Sequence, residues 1–297
     1  MPFTLRLALA IVAAIAAAVV LAPLAAWVLA AAGVRFPFPR VFDRLVVVAT
    51  LAALVVSKRQ LGLAELLRSG FDGPPRKLAS VLRGAAMAFA AMALLLILAL
   101  LAGGGRPVDW ASVPADLPKW LLTAVTIAVA EECFFRAILL GGMQLEFGRT
   151  CALVVSSIIY AGSHLVRPPD KYYLTSFEPG AGLRNLIASA SQLAGFEAAV
   201  PAFVGLFLLG LVLGRAYQLT RSLYFSMGLH GGIILGLHFW SKFVRRHKLP
   251  FWIVGNLNRP AISGLAAWAI ALAMLAALPY LLGARSSNRD APRAPSA

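Results

Sequence analysis

An all-α, polytopic membrane helix bundle of about eight transmembrane helices is the fold class this sequence predicts, on three observations. The 297-residue chain is 60% hydrophobic and 13% charged, with a mean hydropathy of +0.82, whereas a soluble domain carries roughly 25% charged residues. Its apolar residues gather into runs, several of which reach the roughly 20 residues that cross a hydrocarbon core. Its 27 Lys and Arg against 12 Asp and Glu fall mostly between those runs, which fits attraction to anionic lipid headgroups. No separate basic domain stands apart to bind nucleic acid.

The runs are 7–32, 45–56, 84–103, 118–145, 151–163, 196–214, 222–240 and 262–282. The first ends in VLAAAG, but its apolar stretch is far longer than a signal-peptide core of roughly 7–15 residues, so it reads as a retained span. Pro23 inside it need only kink the helix. The second and fifth are short alone and borrow flanking residues. Between the second and third, residues 57–83 carry six basic side chains and read as a short surface helix plus a turn. Pro118 suits the first turn of the fourth helix, and EFGRT separates the fourth and fifth runs closely enough for a tight helical pair. Residues 164–195 form a weakly structured connection that continues as an interfacial helix from Leu183. SKFVRRHK, 241–248, is a charge run. Residues 1–283 are therefore expected to form a single transmembrane bundle with a catalytic-type core at about 84–240, followed by a disordered polar tail, 284–297. Cys133 and Cys151 make no disulfide framework or thiolate metal site and read as buried thiols.

One stretch resists this apolar logic. AVAEECFFRAILL, residues 128–140, places Glu131, Glu132 and Arg136 inside a membrane-length run. A lone charge at the bilayer centre costs about 2.5–3.5 kcal/mol on the gentler insertion scales. Glu132 and Arg136 lie four apart and can pair on one helix face. Glu131 sits about 100° around from Glu132 and stays available. Of four histidines, His164 ends the fifth run and His230 and His238 lie in the seventh, while His247 belongs to the charge run. A carboxylate in a low-dielectric pocket can serve as a general base near neutrality, and imidazoles can orient water, ligate a metal or donate to an oxyanion. Hydrolysis by an activated water is the simplest chemistry for this set. Charges that merely glue helices together are the competing reading. HExxH and GxSxG are both absent, which removes ordinary zincin chemistry and a serine nucleophile elbow. The small residues of GLHGGIILG let the seventh helix approach its neighbours closely.

These residues resemble the motifs of the CAAX protease and bacteriocin-processing family of intramembrane glutamic-type endopeptidases. EECFFR, 131–136, matches the family's Glu-Glu-x-x-x-Arg. YAGSH, 160–164, matches Phe-x-x-x-His with Tyr160 in the aromatic place. HGGII, 230–234, matches His-x-x-x-Asn/Asp at His230 but has Ile234 at the polar position. The resemblance implies an intramembrane endopeptidase that cleaves a peptide bond at or near the membrane surface. Glu131 would activate water, His164 would orient it, and His230 would stabilise the oxyanion. Glu132, Arg136 and Tyr160 would support the site, and His238 is a candidate replacement for the donor missing at Ile234. No cofactor is favoured; the alternative is one divalent metal such as zinc on Glu131, His164 and His230. A catalytically silent membrane scaffold, immunity or transport-associated protein of the same fold is the other functional reading. Expected partners are a membrane-associated peptide or protein substrate and anionic lipids. The expected location is the bacterial inner (plasma) membrane, as a multi-pass protein.

Overall fold

Apolar runs without water at hand must satisfy their backbone internally, and helices do so within one segment. The computed structural model describes residues 1–297 apart from 74–75, 106, 108–111, 167–168, 175, 192–195, 245–248, 256–260 and 283–297. It is all-α: α1 (Phe3–Ala31), α2 (Phe38–Val56), α3 (Leu63–Phe71), α4 (Lys77–Leu101), α5 (Ser112–Glu132), a π-helical segment (Cys133–Leu140), α6 (Gly141–Leu165), α7 (Ala181–Ser191), α8 (Phe196–Thr220), α9 (Leu223–Phe243), α10 (Phe251–Val254) and α11 (Leu265–Leu282). Among the described residues the helices are joined by loops and one isolated β-bridge, Gly105 to Val244. The expected tail and His247 lie outside the described residues.

Each of the eight apolar runs is helical, but the count of spans is corrected. Four described helices are long and apolar enough to cross a membrane: Phe3–Ala31, Lys77–Leu101, Ala199–Thr220 and Leu265–Leu282. The other four runs are diluted. Helix α2 carries Arg40, Asp43 and Arg44; α5 carries Asp116, Lys119 and the two glutamates; α6 is broken at Gly148; glycine, serine and histidine thin out α9. The long apolar helices make the protein membrane-embedded and multi-pass.

The described residues form two compact units, 1–66 with 162–200 and 67–161 with 201–297. In the first, α1 and α2 pack as a hairpin and α7 crosses α1. Gly182 of α7 meets α1 backbone to backbone: a Cβ there would stand 2.0 Å from the Val19 carbonyl oxygen. Tyr172 buttresses the start of α2, its ring tilted against that of Phe38 at 5.5 Å while its carbonyl accepts from the Phe38 N–H. The helix expected from Leu183 is α7, which begins two residues earlier at Ala181, and the short helix expected in 57–83 is α3.

In the second unit α9 is the central helix, packed most extensively against α4 and then α5. Its glycines recur every four residues along one side. A Cβ on Gly228 would stand 1.9 Å from the Val81 carbonyl oxygen, and one on Gly232 would stand 2.6 Å from the Ala88 Cβ. That close seam is what GLHGGIILG foretold. His230 lies two residues from each glycine, about 200° around the helix, so the seam with α4 turns it toward α5. Gly231 is different: a Cβ there would meet the Ala128 Cβ at an ordinary 3.6 Å. Gly228→Ala is therefore expected to lower thermal stability in detergent by about 1–3 kcal/mol, while Gly231→Ala leaves it unchanged or slightly raised. Equal melting temperatures for the two variants would remove the seam as the element that fixes α9.

Three further expectations are adjusted. Helix α5 begins at Ser112, six residues before Pro118, which lies inside it. Tertiary contacts hold those extra turns: the Lys242 ammonium of α9 pairs with Asp116 at 2.7 Å, and Trp120 packs against α9. The break between the fourth and fifth runs falls at Gly148, whose φ of 72° and ψ of 173° suit only glycine. Arg149 beside it exchanges two hydrogen bonds with Gln218, donating to its carbonyl at 2.8 Å and accepting on its own at 2.7 Å. Both cysteines are free, but Cys151 is exposed and Cys133 only partly buried.

Candidate active site

Two local devices bring the polar residues together. Ser222 caps α9, accepting from the Tyr224 N–H at 3.4 Å, and so fixes the helix start eight residues before His230. Helix α5 runs antiparallel to α9, so its C-terminal acids arrive opposite that histidine. The pairings along the seam agree: Trp120 meets His238, Asp116 meets Lys242, and the acids meet His230.

Glu132 is fully buried and holds two partners. Its Oε2 lies 3.5 Å from Arg136 Nε, the i,i+4 pair the sequence predicts. Its Oε1 accepts from His230 Nδ1 at 2.9 Å, across 98 residues. An ionised carboxylate only accepts, so the shared proton belongs to Nδ1, and Nε2 becomes the ring's working atom. Nε2 faces Glu131, whose Oε2 is 3.8 Å away; the Glu131 side chain is 26% exposed while that of His230 is 5% exposed. A water about 2.8 Å from each atom would subtend an angle of about 85° between them, within the range of hydrogen-bond geometry. Sequence reasoning assigned Glu132 to Arg136 alone and missed its grip on His230. Ser226, one turn before His230, donates to the Leu223 carbonyl at 3.0 Å.

Tyr160 supplies the aromatic wall. Its ring lies beneath Arg136, with Cζ 4.7 Å from the centroid, and meets Phe135 edge to face at 5.0 Å and His230 at 6.3 Å. A guanidinium over an aromatic face in a desolvated site gains on the order of 2 kcal/mol. From Phe135 to Leu140 six successive residues are buried. Such segments recur at functional sites, where i→i+5 bonding widens the turn.

His164 and His238 remain to be placed. His164 sits in the last turn of α6, within the first unit, with Ser163 Oγ 3.4 Å from its Nδ1. His238 is carried two turns beyond His230, about 12 Å along the axis, where it stacks flat on Trp120 with centroids 5.4 Å apart. Ile234 packs into the same apolar seam with Trp120, Ala124 and Leu235. Among the described residues no group of three or more His, Cys, Asp or Glu is arranged to hold a metal ion.

A buried acid and a partly exposed one meeting an imidazole, in a chain with four long apolar helices, define a class: a multi-pass membrane protein with a polar site. The particular family follows from comparison. Residues 113–235, which carry Glu131, Glu132, Arg136, Tyr160, His164 and His230, match the family model described as type II CAAX prenyl endopeptidase Rce1-like. Over that segment the chain is similar to the Rce1-like CAAX protease family. No curated protein and no solved structure matches the chain.

Proposed function

We propose that the protein is an intramembrane endopeptidase that hydrolyses a peptide bond at or near the membrane surface, in a membrane-associated peptide or protein. The observation that carries this reading is the approach of Glu131 Oε2 to His230 Nε2 at 3.8 Å, with the opposite ring nitrogen fixed by Glu132. Glu131 takes a proton from water as the water oxygen bonds to the scissile carbonyl carbon. The carbonyl electrons move onto oxygen, and His230 donates to that oxyanion when its ring carries both protons. Collapse breaks the C–N bond, and the proton held by Glu131 passes to the leaving amine. Glu132 and Arg136 position His230, and Tyr160 keeps lipid and water off the pair.

A second reading, a silent scaffold of the same fold, is favoured by Ile234, which puts no polar atom one turn from His230. The geometry supports a weakened enzyme over a compensated one, since His238 is engaged with Trp120. Ile234→Asn is therefore expected to raise turnover, by up to the roughly 10²–10³-fold that one oxyanion donor is worth, while His238→Ala changes it less than about tenfold. A collapse of activity in His238→Ala would reverse that assignment. The decisive test is labelling of new protein N-termini in membranes of cells that express the parent or Glu131→Gln. Termini present with the parent and missing with the variant support the peptidase; identical profiles sink it and leave the scaffold.

A further inference from the structure

The first unit contains a trough that the proposed peptidase chemistry does not use. Between α1 and α2 runs a cavity of about 480 Å³, floored by alanines of both helices, among them Ala14, Ala18, Ala49 and Ala53. A second cavity, of about 400 Å³, shares Leu45 and Val48 with the first and carries it on toward Phe36, Arg40 and Arg44. Together they follow α2 from Val56 back to Arg40, which is about 24 Å of helix. The open side is apolar, with Leu21, Val48 and Val56 exposed along it.

The two ends of this trough differ. The end formed by Ala52, Ala53 and Val56 has no acid in its lining, and the other end has two guanidiniums. Arg40 and Arg44 are four residues apart, so they stack on the face that also presents Val48, and both are exposed. Arg40 lies over the Phe36 ring at 5.7 Å, which holds its guanidinium at the rim. Asp43 is next to Arg44 in sequence but does not line the trough, so the rim is cationic. One leaflet of a hydrocarbon core is about 15 Å deep. A trough longer than that, apolar along its length but for Ser57 at one end and lined by Arg40 and Arg44 at the other, matches one acyl chain with an anionic headgroup.

We propose that the α1–α2 trough binds an anionic phospholipid, with one acyl chain along the alanine floor and the phosphate on Arg40 and Arg44. The alanines leave room where larger side chains would close the two helices on each other, and the paired guanidiniums supply the donors a phosphate accepts. The site lies wholly within the first unit, so the proposal stands apart from the peptidase reading.

Native mass spectrometry of the full chain in detergent, with added dioleoylphosphatidylglycerol or dioleoylphosphatidylcholine, reads this directly. The anionic lipid is expected to be retained about tenfold or more over the zwitterionic one, as two basic side chains at a headgroup imply. Arg40→Gln with Arg44→Gln should abolish that preference, and the Lys pair should restore most of it, which separates charge from misfolding. Ala49→Phe, which fills the floor, should weaken both lipids, and glycerol phosphate alone should not compete. Equal retention of the two lipids, or a preference that survives the double Gln variant, overturns the proposal. Competition by glycerol phosphate would make this a free-anion site instead. A dimer in the parent that Ala49→Phe dissociates, with lipid retention unchanged, would make the trough a surface for a second copy.

Discussion

Glu131→Gln is expected to lose about 10²–10⁴-fold in turnover, the usual worth of a positioned general base, while its melting temperature in detergent stays within a degree or two of the parent. The amide matches the carboxylate in shape but cannot take a proton from water. The side chain is a quarter exposed and lies 3.8 Å from His230 Nε2, so the substitution leaves the Glu132–His230 hydrogen bond in place. Rate and stability should therefore separate, and counting membrane-derived new termini beside a thermal melt measures both. Loss of stability equal to the loss of rate would make Glu131 a structural acid.

Glu132→Gln should do the opposite, and with a larger effect on the fold. Removing one partner of a buried ion pair costs about 3–5 kcal/mol, because the other charge is left uncompensated. Here the stranded group is Arg136, 2% exposed, with Nη2 already lacking a hydrogen-bond partner. The amide oxygen of Gln still accepts from His230 Nδ1, so the loss falls mainly on the charge. Arg136→Met introduced together with Glu132→Gln should recover part of the stability, since the uncompensated cation is then gone. Additive losses in that double variant would show that the two side chains are not coupled.

Much of the fold was legible because apolar run length and helix length report the same physics. Even the short run at 45–56 became a full helix by drawing on 38–44, and GLHGGIILG announced the α4 seam. The start of α5 was not legible, because an ion pair to Lys242 and the packing of Trp120, both long-range, carry the helix past Pro118. The number of spans was overread: pattern registers an apolar run, but Arg40, Asp43 and Arg44 decide whether the whole of α2 is apolar enough to cross. At the site, the i,i+4 pair of Glu132 with Arg136 could be read from spacing alone. The bond from His230 to Glu132 could not, since it joins helices 98 residues apart and depends on how α9 is rotated. That rotation comes from glycines whose role is visible only when the neighbouring backbone is present.

The π segment bears on how this motif tolerates change in length. An α-helix advances about 100° per residue, so the wide turns at 133–140 act as a phase shift between the acids upstream and the chain that leads on to Tyr160. Removing one residue from that segment would relax it toward ordinary α geometry and rotate Glu131 and Glu132 by about one residue's angle relative to everything that follows. The acid now facing Nε2 and the acid now holding Nδ1 would be out of step with His230, although every motif residue was still present. In this chain the spacing between the acids and the aromatic wall is thus as much a part of the site as the residues themselves.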